Sequence, residues 1–86
     1  MRSFSYIIED ELGIHARPAG QLSKLAKEYP DTAITVTKDG KTARTTQLMR
    51  LMNLGVKCGD EVTAAAEGPR EDDAIAAVQK FFHDNL

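Results

Sequence analysis

The chain has one cysteine, Cys58, and no tryptophan. A single thiol excludes an internal disulfide, and one sulfur cannot build a cysteine-based metal site. No apolar run approaches the roughly 20 residues needed to span a bilayer. The opening residues, Met1-Arg2-Ser3-Phe4-Ser5-Tyr6, hold no apolar core of a signal peptide. Basic residues are not in excess: 11 Lys and Arg stand against 13 Asp and Glu, a net charge of −2. Such a chain has no general field to hold nucleic acid or an anionic membrane. No repeat, linker or low-complexity stretch divides it. Together these absences predict a single domain, residues 1–86, in a reducing, cytoplasmic setting, with no nucleic-acid partner and no membrane insertion.

What is present is an ordinary folding composition, 42% hydrophobic and 28% charged over 86 residues. A chain of this size buries roughly 60–65% of its unfolded surface, enough for one modest core. Phe4, Tyr6 and Ile8 alternate with Ser5 and Ile7, which predicts a first strand from about Ser3 to Glu9. Pro18, Leu22, Leu25, Ala26 and Tyr29 recur at helical spacing from Ala16 onward, and Pro30 stops that helix. Ile34 and Val36 alternate with Thr35 and Thr37, a second strand. Lys38-Asp39-Gly40-Lys41 reads as a tight hairpin, since Asp-Gly suits two residues of positive φ. The third strand, about Lys41 to Thr45, is weakly apolar and reads as an edge protected by lysine and arginine.

Thr46 is the expected N-cap of a short second helix from Gln47 to about Asn53. In it Leu48 and Leu51 are expected to face the core, leaving Met49 and Met52 partly exposed, with Gly55 as the C-terminal stop. Val62, Ala64 and Ala66 alternate through a fourth strand whose small side chains suit a crowded central position. Gly68-Pro69 opens a third helix with Glu71, Asp72 and Asp73 in its first turn and a core stripe of Ile75, Val78 and Phe82. The order is β-α-β-β-α-β-α. It predicts an α+β fold, one four-stranded antiparallel sheet covered on one face by three helices.

One stretch carries chemistry: Gly13-Ile14-His15-Ala16-Arg17-Pro18-Ala19-Gly20. A proline is tolerated in the first helical turn, because its missing N–H has no partner there anyway. His15 therefore falls at or next to the helix N-cap, where free N–H groups and the dipole favour an anion. A neutral imidazole there is a nucleophile near pH 7, and the planar fork of Arg17 suits phosphoryl oxygens. A phosphoryl acceptor is the expected role. Elsewhere, His83 suits the last helical turn as a cation, Cys58 sits in a turn, and Glu71, Asp72 and Asp73 read as helix capping.

At these residues the sequence resembles the HPr phosphocarrier proteins of the bacterial phosphoenolpyruvate-dependent sugar phosphotransferase system. Gly-Ile-His-Ala-Arg-Pro-Ala matches that family's active-site motif, and the resemblance continues through Asp39-Gly40-Lys41-Thr42, Leu54-Gly55 and the last helix. It implies the HPr-like open-faced β-sandwich. It also implies a carrier that does not turn over alone, a monomer without cofactor or metal. His15 would take phosphate from phospho-enzyme I on Nδ1 and pass it to enzyme IIA domains, with Ala16 and Arg17 holding the phosphate. Gly20, Gln21, Lys24, Gln47, Met49, Arg50 and Met52 would be docking residues. The alternative is a regulatory or nitrogen-branch relative that acts by docking to regulators. Many Gram-positive members carry a regulatory serine where this chain has Gln47, which cannot accept phosphate.

Overall fold

The alternation patterns become strands in the computed structural model, which describes residues 1–86. In chain order the elements are β1 (Arg2–Ile7), α1 (Ala16–Lys27), β2 (Ala33–Lys38), β3 (Lys41–Arg44), α2 (Leu48–Asn53), β4 (Glu61–Glu67) and α3 (Glu71–Asn85). The sheet runs β1-β4-β2-β3, and every neighbouring pair is antiparallel. The last strand of the chain is thus central and the third is an edge. Asp39 and Gly40 both have positive φ, 50° and 78°, which is the backbone that the β2–β3 hairpin needs.

Register explains the alanines of β4. Ala64 lies between Phe4 of β1 and Val36 of β2, and Ala66 lies beside Ile34. Small side chains in the middle strand leave room for the helices that pack above it. Phe82 of α3 fills that space, fully buried, with its ring edge-on to Phe4 and Tyr6 at centroid distances of 5.4 and 5.6 Å. Leu22, Ala26, Leu51 and Val78 complete the layer between sheet and helices. The opposite face of the sheet carries hydroxyls: Ser5 pairs with Thr63 at 3.1 Å and Thr37 with Thr42 at 2.8 Å.

Three local expectations need correction. Thr46 is not the N-cap of α2. The Gln47 N–H donates to Arg44 O at 2.9 Å, and this turn uses Thr45 and Thr46 as its central residues. Gln47 becomes the N-cap, without a side-chain capping bond. Leu48 does not face the core; it is 38% exposed, because α2 starts one residue late and presents Leu51 inward. Finally, α1 ends at Lys27, three residues before Pro30. Arg70 caps its carbonyl end instead, donating to Glu28 O at 2.8 Å with its guanidinium over the Tyr29 ring.

Candidate functional site

Between β1 and α1 the chain makes a hydrogen-bonded turn. Asp10 Oδ1 accepts the Leu12 N–H at 2.8 Å, and Asp10 O accepts the Gly13 N–H at 3.0 Å. Gly13 then takes φ 65°, a conformation that glycine adopts without penalty. A Cβ on Gly13 would collide with Val56 O, so the two backbones pass in contact. The next residue uses that contact: Ile14 donates its N–H to Val56 O at 3.2 Å and buries its side chain. His15 therefore leaves a turn fixed on both sides.

His15 is the N-cap of α1, with extended backbone (φ −111°, ψ −172°) and no side-chain capping bond. Its carbonyl accepts the first helical bond, from Ala19 N–H at 2.9 Å. The N–H groups of Ala16 and Arg17 have no acceptor within the chain, and Pro18 has none to offer. No acidic residue occupies the first turn. The imidazole thus stands half-exposed beside two free donors at the positive end of a twelve-residue helix.

Tertiary packing brings more side chains to this point than the motif contains. His15, Arg17 and Gln21 share a polar depression of about 360 Å³ with Asp10 from the preceding turn and Asp84 and Asn85 from the end of α3. Arg17 is exposed and forms no ion pair within the chain. Both carboxylates are already engaged: Asp10 with Leu12 N–H, and Asp84 with Lys80 Nζ at 2.9 Å. Asp10, Asp84 and Asn85 were not among the residues expected from the sequence. Asp10 was detectable as a turn former close to His15. Asp84 and Asn85 lie 69 and 70 positions away, and no local pattern marks them.

The other expected residues separate into two groups. Gln21 lines the depression, and at Gly20, the residue before it on α1, a Cβ would meet no atom within 4 Å. Gln47, Met49 and Arg50 are exposed on or beside α2, which packs against α1. Met52, in contrast, is half-buried against the core. Lys24 lines a groove of about 490 Å³ between α1 and α3 with Leu25, Ala77 and Phe81. His83 stacks edge-on against Tyr6 at 5.2 Å, and Cys58 is exposed, its Sγ 3.6 Å from Glu9 O. No group of three or more His, Cys, Asp or Glu side chains is arranged to hold a metal ion.

Comparison with known proteins gives one consistent result. The family model for the "PTS HPr component phosphorylation site" matches residues 2–84. A phosphocarrier protein HPr from Mycoplasma capricolum is 37% identical, covering 98% of this chain and 93% of its own. One from Vibrio cholerae is 46% identical over 79% of each chain. A mycoplasma histidine-containing phosphocarrier protein of known structure superposes with a TM-score of 0.91 at 36% identity, covering 96% of this chain and 93% of that one. The four-stranded antiparallel sheet with three helices is shared with the mycoplasma structure, and the sequence matches reach nearly the whole chain: the chain belongs to the HPr family of phosphocarriers of the phosphotransferase system.

Proposed function

We propose that His15 is the phosphoryl acceptor and that Arg17, with the N–H groups of Ala16 and Arg17, cradles the phosphate. The observation that carries this is the N-cap geometry of His15, a ring with no hydrogen bond to cap the helix beside two unpaired amides. The Nδ1 lone pair of the neutral imidazole attacks phosphorus in line. The bond between phosphorus and its donor breaks, and that electron pair stays with the donor. Return of the phosphate to an acceptor is the same step reversed. The protein supplies position and electrostatics and turns nothing over by itself.

A carrier must not hold its cargo too well. The depression contains Arg17, whose charge-assisted contact is worth about 1.5–3 kcal/mol, but also Asp10 and Asp84, which repel a phosphoryl dianion. This balance favours transfer over storage. Phospho-enzyme I is the donor in this reading and enzyme IIA domains are the acceptors. They meet a face formed by Gly20 and Gln21 of α1 and by Gln47, Met49 and Arg50 at α2, on a monomer in the cytoplasm. Lys24 and Met52 are the weaker members of that set, one lining the groove between α1 and α3 and the other half-buried.

Incubation with enzyme I and phosphoenolpyruvate tests the assignment. The wild type should gain one acid-labile phosphate, and His15→Ala should gain none. Equal labelling of the two proteins would remove His15 from this role.

A further inference from the structure

A half-buried lysine lies under the turn that carries His15, and phosphate binding does not account for it. Lys38 continues the inward alternation of Ile34 and Val36 at the end of β2, with its side chain only 17% exposed. Its Nζ donates to Gly55 O at 2.7 Å and stands 2.9 Å from Asp60 Oδ2. The same Asp60 oxygen accepts the Lys57 N–H at 2.8 Å. One ammonium therefore clamps both ends of the segment from Gly55 to Asp60.

That segment is the floor on which the His15 turn rests. Val56 O accepts the Ile14 N–H, and Gly13 passes against the same carbonyl. At the other end, the Ile8 N–H donates to Asp60 O at 2.9 Å and the Gly59 N–H donates to Ile8 O at 2.8 Å. Both ends of the connection between β1 and α1 are thus registered on residues 55–60. An inward-facing ammonium carries a desolvation cost that an aliphatic side chain would avoid. Its return here is geometric, the fixing of the Gly55 carbonyl and the Asp60 carboxylate, five residues apart.

We propose that Lys38 is a positioning residue for phosphoryl transfer, clamping Gly55 and Asp60 so that the Val56 carbonyl holds Ile14, and through it His15, in register at the mouth of α1. This rests on the reading of His15 as acceptor. The Asp60 carboxyl is held below its ordinary range, first by the Lys38 hydrogen bond and then by the Lys57 N–H, consistent with a formed clamp.

The test compares wild type with Lys38→Met, Asp60→Asn and Lys38→Arg, using phospho-enzyme I as donor and amide hydrogen exchange as a second readout. In Lys38→Met the rate at saturating donor should fall on the order of tenfold, with the half-saturating donor concentration unchanged. Exchange at the Ile14 N–H should accelerate by about tenfold, while the Thr45 N–H, bonded to Ile34 O across the sheet, keeps its wild-type rate. Asp60→Asn should move both readouts the same way by less, and Lys38→Arg should recover most of the rate. If the wild type is charged and Lys38→Met is charged equally fast, Lys38 has no positioning role. Equal acceleration of exchange at Ile14 and Thr45 would mean only a general loss of stability, and would also overturn the proposal. A wild type that takes no phosphate overturns the His15 assignment itself, a result distinct from either of these.

Discussion

The first turns of α1 and α3 solve the same problem in opposite ways. Each helix begins with unpaired N–H groups and a partial positive charge. In α3 the chain supplies its own anions, Glu71, Asp72 and Asp73. Glu71 reaches back to the Gly68 N–H at 3.3 Å, Thr32 Oγ1 accepts the Arg70 N–H at 3.2 Å, and Asp72 pairs with Arg2 at 2.6 Å. In α1 there is no acid in the first turn, and Arg17 adds positive charge. One start is filled from within and is structural. The other has no anion of its own, and that opening is what the proposed phosphate role of His15 would use. The contrast teaches that the two helix starts differ by what the sequence withholds from one of them.

Filling the α1 start should have the largest effect. Ala16→Asp places an acid in an exposed first turn, as in α3. It should lower the rate of phosphate uptake by about tenfold or more, through repulsion of the incoming dianion, while stabilising the fold by about 0.3–1 kcal/mol. Phosphotransfer kinetics beside urea denaturation would show both. A variant that is both more stable and equally active would break the comparison. Emptying the α3 start is the converse and smaller change. Asp72→Asn with Asp73→Asn should cost about 0.5–1 kcal/mol at low salt, fading as salt is added, and leave phosphate uptake untouched.

The smallest effect is that of acid on the paired carboxylates. Glu71 is held below its usual range by the Met1 ammonium, 2.9 Å away, and then by the Gly68 N–H, while Asp60 is held down by Lys38. Each group binds its proton less readily folded than unfolded. Their stabilisation is complete above the unfolded values, about 4, and is lost as pH falls through the lower folded ones. Thermal melts between pH 6 and pH 3 should show the decline, shallower in Asp60→Asn.

Much of the fold was legible because alternation and turn chemistry are local. Phe4 and Tyr6 marked β1, and Asp39-Gly40 marked the β2–β3 hairpin by the positive φ that both residues take. The core of the site was equally local, since a histidine before Arg-Pro defines a helix mouth within a few residues. Other features depended on distance. Thr46 looked like an N-cap until the Arg44–Gln47 turn displaced it. Leu48 looked like core until α2 began one residue late. Asp84, Asn85 and the partners of Lys38 belong to remote segments, joined to the site only by packing. Lys38 in particular reads as a hairpin flank, and only the sheet shows that it points inward.

The central place of β4 governs how the chain comes to be folded at all. β1 and β2 never touch as hydrogen-bonded neighbours; each pairs with a strand that ends at Glu67. While the chain is being made, only the β2–β3 hairpin can close on its own. The first strand waits, unpartnered, until more than three quarters of the molecule has emerged. The sheet is therefore built from pairings between distant residues, a topology that slows folding relative to one of local contacts. The helix mouth at His15 rests on the segment that leads into β4, so it takes its final form only when that segment is in place.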